Sequence, residues 1–543
     1  MKLFQFKADI QNLPEAMDFL EARLKKLHVS KKGILNSMLI AEESIVQLIE
    51  NADEDATVSI SVNSKFMAAT VYISAKGKKI NSDLMGISMP DGTPDSMTEQ
   101  NLRAMMLRSY SNHFAYNWVD GSNHIMINCG KNQRQFAYQS FIALVFAFIL
   151  AFVLRAVLNA GQIDILINRL LNPTQSIILN LLTLVTAPTV FFSIVSFVSK
   201  CTGIYSSGKL SIRIISFFAF TSVISVLLGY LIFSVFKPGV EGQLADLVLY
   251  SSEKIEWEST ILGMIADIVP SNIIAPFLNT KATQLLFLAL ICGVAVGRAG
   301  RFSAQLREMA DAFDTLFSKI LEIISGCIPF AAFVAMLINC LSTGTKTIVS
   351  MLHFFVTVFI GMIGLLLLYS LMVTAVGLNP LPFIRKCTKL IRHSLLDKSS
   401  VEAVPATIRC CKNELGISND ICSIAIPLGA VGNLDANCIY LTISVLYLIR
   451  ICSMGAFVGA LIPLAIMILL LSLGSPITPG SVILTLTMLS SYSGISIAAV
   501  SLLFGLNAFI ELFLSACNSA GDVAVALILA KRRGKLDKKV YNS

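Results

Sequence analysis

One short polar segment interrupts an apolar stretch and could bind a cation. Segment 429–437 places Asn433, Asp435 and Asn437 between two apolar runs. An ionisable side chain in the centre of a membrane costs about 2.5–3.5 kcal/mol on insertion scales, so Asp435 needs a partner or a function. The two glycines of the segment favour a break in a membrane helix, where unwound carbonyls become cation ligands. The alternative is a short soluble loop between two core helices.

A second polar group lies on one face of the last apolar stretch. Glu511, Ser515, Asn518 and Asp522 are spaced i, i+4, i+7 and i+11, so they share one helical face. We expect this face to meet the polar centre of segment 429–437. A sodium ion prefers several hard oxygens, some of them charged, at a site with little water. The pattern therefore predicts a sodium site, and the alternative is a buried polar network that only holds helices together.

Composition places these residues in a membrane protein. Of 543 residues, 55% are hydrophobic and 14% are charged, against about 25% charged in soluble domains. The net charge of +8 is spread over short clusters between apolar runs, which is a topology signal and not a nucleic-acid patch. The twelve cysteines show no zinc spacing and are interpreted as small buried hydrophobic residues.

The apolar runs predict an α-helical polytopic membrane protein with eight spans and two re-entrant hairpins. Two runs have polar centres that make them too interrupted to span a bilayer, and each fits a hairpin buried in protein. The predicted spans are 136–157, 180–198, 212–235, 261–296, 320–341, 348–376, 421–449 and 495–530, and the predicted hairpins are 381–411 and 462–489.

Charge asymmetry gives an orientation for these spans. The first thirty residues are mixed and charged and contain no apolar core of a signal peptide. If the eight spans alternate, the basic clusters lie on one side, and the positive-inside rule then predicts a multi-pass protein of the cytoplasmic (inner) membrane with both termini in the cytoplasm. These clusters lie at 131–134, 200–213, 298–307, 385–392 and 531–535. Residues 536–543 are predicted to be a cytoplasmic tail.

Residues 1–132 predict a separate soluble α+β domain. Segments 13–24 and 36–52 have apolar residues at helical spacing, and segment 98–110 predicts a late helix. Alternation with period two at 57–63 and 69–74 predicts a hairpin, and two more strands are predicted at 115–119 and 124–127.

This order of elements resembles the histidine-kinase-like ATPase fold of the small anti-sigma-factor kinases. The residues that carry the resemblance lie at 41–52, 73–80 and 101–107. The family has a magnesium-binding asparagine four residues after a glutamate, whereas Gln47 follows Glu43 here. The family's adenine-binding aspartate should fall near Ser74 or Ala75, and neither of these residues has a carboxylate. These departures argue against ATP hydrolysis and favour a regulatory or scaffold module, with nucleotide sensing as the alternative.

Residues 133–535 resemble the dicarboxylate/amino acid:cation symporter family, which has the glutamate-transporter fold. That family works as a trimer. Spans 1, 2, 4 and 5 form its scaffold, and spans 3, 6, 7 and 8 with both hairpins slide across the bilayer in an elevator mechanism. The motifs that carry the resemblance are at 236–239, 268–272, 399–405, 429–435, 479–480 and 518–522.

The resemblance implies sodium sites on named residues. Asn518 and Asp522, with carbonyls near Gly429 and Asn433, match one family site. Thr221, Ser222, Asn433 and Asp435 match a second site. The tyrosine usual in that second site is Phe218 here, which is expected to weaken it.

The substrate residues depart from the family pattern. Leu514 replaces the arginine that clamps the side-chain carboxylate of acidic amino acids. Because a leucine cannot neutralise a carboxylate, this predicts a neutral substrate. Glu511 matches the aspartate that binds the substrate ammonium group, and Asn518 would bind the α-carboxylate. The other implied substrate residues are Ser399, Ser400, Asn437, Pro479, Gly480 and Ser515. Glu402 lies near them in the chain and could be a salt-bridge partner, a surface group in one state or a group that recognises a cationic end of the substrate.

The sequence therefore predicts a sodium-coupled secondary symporter of a small, neutral amino acid and not an enzyme. Sodium is the expected coupling ion, and protons could replace one sodium because Glu402 and Glu511 are titratable. The alternative is a membrane-embedded sensor, in which the transporter-like core reports occupancy through the amino-terminal domain.

Overall fold

The structure is a computed structural model that divides into two compact units, Met1–Gln135 and Phe136–Ser543. Each unit has its own hydrophobic core. The residues that the structure describes are 3–27, 31–53, 56–65, 68–80, 114–119, 121–128, 133–204, 209–243, 268–279, 281–344, 346–394, 404–453, 458–472 and 480–542.

The first unit contains a five-stranded antiparallel sheet. Apolar and polar residues alternate along its strands, so one face of the sheet is buried and the other is exposed. Val58 and Ile60 are fully buried on one face, while Tyr72 on the other face is 41% exposed. The strand order is β1-β2-β3-β5-β4. The strands are β1 (Leu3–Lys7), β2 (Thr57–Lys65), β3 (Ala68–Lys76), β4 (Phe114–Val119) and β5 (Ser122–Asn128).

Two helices, α1 (Leu13–Lys26) and α2 (Lys31–Glu50), cover the apolar face of this sheet. Their buried residues Leu20 and Leu48 join the same core as the strands. Gln47 on α2 is buried and donates a hydrogen bond to Glu43 Oε1 at 3.5 Å. The predicted hairpin matches β2 and β3, β1 was not predicted, and the predicted helix at 98–110 lies outside the described residues.

The second unit is helical. A π-helical turn, Ile167–Leu171, joins its second and third helices, and another, Cys410–Glu414, follows α13. The described helices are α3 (Gln133–Val157), α4 (Ala160–Leu166), α5 (Asn172–Ile204), α6 (Lys209–Phe236), α7 (Ala275–Leu278), α8 (Ala282–Gly297), α9 (Ser303–Ser325), α10 (Ile328–Thr343), α11 (Lys346–Ala375), α12 (Pro380–Ser394), α13 (Val404–Arg409), α14 (Asn419–Gly432), α15 (Asp435–Ile451), α16 (Val458–Ser472), α17 (Ser481–Ser493), α18 (Ile497–Ser501), α19 (Phe504–Arg532) and α20 (Lys538–Asn542).

Among the described residues, six helices are long and apolar enough to cross a membrane, or seven if a bent pair counts as one span. The bent pair is α8 with the segment 300–325, which meet at 103°. The predicted span at 320–341 is not one helix, because α9 ends at Ser325 and α10 begins after Cys327. Pro329 in the first turn of α10 lacks an N–H and separates the two helices. The count of eight spans stays a prediction.

Both predicted re-entrant stretches form pairs of helices, α12 with α13 and α16 with α17. Between them in the chain, the span 419–451 is a broken helix. Asn433 and Leu434 leave the helical conformation, with φ/ψ of −119°/73° and −103°/53°. The break divides α14 from α15 and exposes backbone groups to neighbouring side chains.

The segment after α19 packs onto the first hairpin. Asp537 N donates to the carbonyl of Gly416 at 2.9 Å, and the ring of Tyr541 is fully buried. The buried amine of Lys386 on α12 donates to three carbonyls, those of Glu414 (2.7 Å), Val540 (2.9 Å) and Tyr541 (2.9 Å). Lys386 therefore fastens α20 to α12 and to the end of the π-helical turn.

Replacing Lys386 with methionine is expected to release α20. The change leaves three carbonyls without their charged donor, and hydrogen bonds to charged groups contribute about 1.5–3 kcal/mol each. We expect a lower melting temperature and faster proteolysis after Lys535. Lys389→Met is the control, because that side chain is 61% exposed and lies 3.7 Å from Glu414. Equal proteolysis of both variants and the wild type would contradict the fastening role.

Candidate functional site

Asp435 lies at the break between α14 and α15 and is fully buried. Its carboxylate accepts two hydrogen bonds from hydroxyl groups on other helices. Ser222 Oγ of α6 donates to Oδ1 at 2.8 Å, and the Tyr369 hydroxyl of α11 donates to Oδ2 at 2.8 Å. Three helices therefore meet at this one side chain.

Tyr369 was missed in the sequence analysis. Phe218, at the position of the expected tyrosine, is buried and has no hydroxyl to offer. The structure supplies a phenol from α11 instead, so the second predicted cation site keeps a tyrosine hydroxyl from a different helix. The only sequence signal was a single tyrosine inside the apolar run 348–376.

The Asn433 side chain contacts both Thr221 on α6 and Asp522 on α19. Its Nδ2 donates to Asp522 Oδ1 at 3.0 Å, and its Oδ1 lies 3.3 Å from Thr221 Oγ. Gly429, one turn earlier on α14, packs directly on the Asp522 carboxylate, where a Cβ would collide with that carboxylate. The predicted residues Thr221, Ser222, Gly429, Asn433, Asp435 and Asp522 thus form one buried cluster.

Asn518 ties α19 to the first turn of α15. Its Oδ1 accepts the N–H of Ala436 at 2.9 Å, which is one of the N–H groups that a helix start leaves without an internal partner. Its Nδ2 donates to Asn437 Oδ1 at 3.1 Å. Both asparagines are buried, so they extend the cluster by one turn.

The cluster holds two buried carboxylates and only neutral donors. Among the ion pairs of the described residues, none includes Asp435 or Asp522. Burying a charge without a counter-charge is costly. Because carboxylate, amide and hydroxyl oxygens are hard ligands, the donor set fits a hard cation.

Glu511 lies on the same face of α19 as Asn518 and Asp522, but its carboxylate contacts the start of α17. Its carboxylate accepts N–H groups from Gly480 at 3.1–3.2 Å and from Val482 at 3.3 Å, and the Asn507 amide donates at 3.0 Å. Gly480 precedes α17 with φ of 87°, a conformation that favours glycine. A carboxylate at this helix start is stabilised by the unpaired N–H groups. Asn507 and Val482 were not predicted.

Two other predicted substrate residues, Leu514 and Ser515, lie on α19. Leu514 is buried in the apolar core, and Ser515 is half-buried with its carbonyl accepting the Ser519 hydroxyl at 3.0 Å. Four predicted substrate residues lie outside the described part of the chain: Ser399, Ser400, Glu402 and Pro479.

Comparison with known proteins assigns the second unit to a family. The family model named "Sodium:dicarboxylate symporter family" matches residues 136–532. A C4-dicarboxylate transport protein of Stenotrophomonas maltophilia (strain R551-3) is 23% identical over 405 residues, which cover 73% of this chain and 89% of that protein. A protein of the same name from Pseudomonas syringae pv. syringae (strain B728a) is 26% identical over 415 residues, covering 74% and 90%.

The match spans well over half of the chain and includes both the broken helix and the polar face of α19. It begins at residue 136, so it does not extend to the first unit, and the ATPase resemblance of that unit stays a prediction. The chain is a multi-pass membrane protein of a transport family and belongs to the sodium:dicarboxylate symporter family.

Proposed function

We propose that the protein is a sodium-coupled symporter that carries a four-carbon dicarboxylate across the membrane. The observation that supports this most is the buried cluster of Asp435 and Asp522, which has two negative charges and neutral donors in a chain of this family. Relatives that match most of the second unit are named C4-dicarboxylate transport proteins.

The prediction of a neutral amino acid substrate is wrong. It rested on Leu514, which replaces an arginine, and the names of the relatives point to dicarboxylates instead. Nothing in the comparisons favours the sensor alternative either. Leu514 does not exclude a dicarboxylate, because one missing arginine removes only one way to neutralise a carboxylate. Bound cations, amide N–H groups and helix starts provide other ways.

In the proposed cycle, sodium binds where Asn433, Asp435, Asn518 and Asp522 converge. When bound, the ion supplies the positive charge that these carboxylates lack. Asn437 lies in the first turn of α15, just after the break, and Asn518 of α19 donates to its Oδ1 at 3.1 Å. The N–H groups of these two amides suit a substrate carboxylate. Coupling requires that sodium and substrate both favour the same closed state of the hairpins.

Several finer points stay predictions. The homotrimer and the elevator motion rest on the family resemblance. The inner membrane and the cytoplasmic termini rest on the charge asymmetry, and a regulatory role for residues 1–132 rests on the ATPase resemblance of that domain. Cross-linking in native membranes would test the trimer without reference to transport.

Uptake by proteoliposomes tests the proposed function. With sodium outside, we expect accumulation of labelled succinate, competition by malate and fumarate, and no competition by alanine or serine. Collapse of the sodium gradient should abolish accumulation, because that gradient is the driving force of a sodium-coupled symporter. Sodium-dependent uptake of alanine without uptake of succinate would contradict the proposal.

A further inference from the structure

A dense run of basic residues follows the last long apolar helix. Segment 531–539 contains six lysines and arginines and one acidic residue, Asp537. The chain turns sharply there, because Lys535 N donates to the carbonyl of Ala530 at 2.9 Å and Gly534 has a positive φ of 67°. The six cations are therefore gathered around one turn at the end of α19 and are not spread along an extended tail.

The acidic groups at this turn already have partners. Asp537 Oδ1 accepts the N–H of Lys539 at 2.9 Å, which occupies it at the start of α20. Asp420 on α14 pairs with Lys535. Among the described residues, no ion pair includes the other cations of the segment, which are Lys531, Arg532, Arg533, Lys538 and Lys539. The positive charge of the turn therefore exceeds what its protein neighbours neutralise.

Helix α12 has an exposed face that is both apolar and basic. Its side chains Phe383 and Cys387 are buried in the core, whereas Leu381 and Ile384 are 68% and 42% exposed. Arg385 is exposed beside them, because positions i, i+3 and i+4 lie on one side of a helix. Exposed apolar residues next to a cation are typical of a helix that lies in the interface between a bilayer and water.

Helix α20 connects the basic turn to α12. The buried amine of Lys386 on α12 donates to the carbonyls of Val540 and Tyr541, each at 2.9 Å. The Tyr541 hydroxyl donates to the carbonyl of Asn379, just before α12, at 2.6 Å. Helices α12 and α19 also pack against each other. The exposed face of α12 and segment 531–539 therefore adjoin, and together we call them the basic surface.

We propose that the basic surface binds the headgroups of anionic phospholipids in the bilayer that surrounds the protein. The cations attract the phosphate groups, and Leu381 and Ile384 contact the upper part of the acyl chains. The lipid is within reach, because segment 531–539 continues directly from α19, which is long and apolar enough to cross a membrane. The surface contains none of the residues of the ion cluster, so this inference does not depend on the proposed substrate.

Melting curves of the purified full-length protein in a neutral detergent test the proposal. We expect dioleoylphosphatidylglycerol to raise the melting temperature in a saturable way, because a ligand that binds the folded state stabilises it. Dioleoylphosphatidylcholine has no net charge and should have no such effect. High salt should weaken the effect of the anionic lipid, since salt screens attraction between exposed charges.

A pair of double variants locates the binding. Arg385→Gln with Lys538→Gln is expected to raise the lipid concentration that gives half of the shift about 20-fold, or roughly fivefold for each cation. Both side chains are exposed, so the melting temperature without lipid should equal that of the wild type. Arg298→Gln with Arg301→Gln is the matched control. It removes two exposed cations from another basic cluster and should keep the lipid effect.

A further variant and two soluble anions separate lipid from other anionic partners. Leu381→Gln with Ile384→Gln keeps every cation and should still weaken the lipid effect, because the acyl chains lose their contact. Glycerol 3-phosphate, which is a headgroup without acyl chains, should not raise the melting temperature. The inference is overturned if glycerol 3-phosphate or a DNA oligonucleotide reproduces the shift, if both lipids act equally, or if the control pair loses the effect as fully as the Arg385 and Lys538 pair.

Discussion

Asp522→Asn is expected to raise the sodium concentration needed for half-maximal dicarboxylate uptake about 10- to 100-fold, as loss of a metal-site group typically does. Asparagine keeps the oxygen that accepts the Asn433 amide at 3.0 Å. It removes one of the two negative charges of the cluster. The effect should therefore appear in sodium affinity and much less in folding. Uptake measured over a range of external sodium concentrations is the readout.

Asp420→Asn is the matched control for this prediction. Asp420 lies in the first turn of α14, is 49% exposed and pairs with Lys535. An exposed ion pair contributes little and is screened by salt, so sodium dependence should not change. If Asp420→Asn and Asp522→Asn shift the sodium dependence equally, the buried cluster is not the coupling site.

Gly429→Ala is expected to lower uptake by an order of magnitude or more, although it adds only one methyl group. A Cβ at this position would collide with the Asp522 carboxylate and lie 3.1 Å from Phe218 Cζ. The collision moves Asp522 away from the Asn433 amide. Overpacking of a buried site costs about 1–3 kcal/mol, and here the strained atoms are the proposed ligands.

Gly364→Ala separates this effect from a general cost of filling membrane helices. Gly364 lies on α11, and a Cβ there would meet Ile232 Cδ1 at 3.5 Å, an ordinary contact. We expect near wild-type uptake and membrane yield for Gly364→Ala. If Gly429→Ala keeps the sodium affinity of the wild type, sodium binding does not depend on the present position of the Asp522 carboxylate.

The sequence was informative where the chemistry depended on local spacing. The four polar residues of α19 share a face because of helical periodicity, and segment 429–437 breaks its helix as its glycines and polar residues predict. The meeting of Asn433 with Asp522 follows from these two patterns together.

Contacts between distant segments were harder to predict. Tyr369 lies 66 residues from Asp435 and nothing in its apolar surroundings marks it as a partner. Asn507 contacts Glu511 within one helix, at a spacing that periodicity could have found. The substrate could not be predicted from Leu514 alone, because the charge of a bound carboxylate is compensated by all the groups of the site together.

Direct sodium binding tests the central claim, that Asp435 and Asp522 are buried together in order to hold the coupling ion. The measurement is equilibrium binding of radioactive sodium to the purified protein without substrate, for the wild type and for Asp435→Asn with Asp522→Asn. We predict saturable binding by the wild type and loss of bound sodium in the double variant. Equal sodium binding by the two proteins would contradict the account.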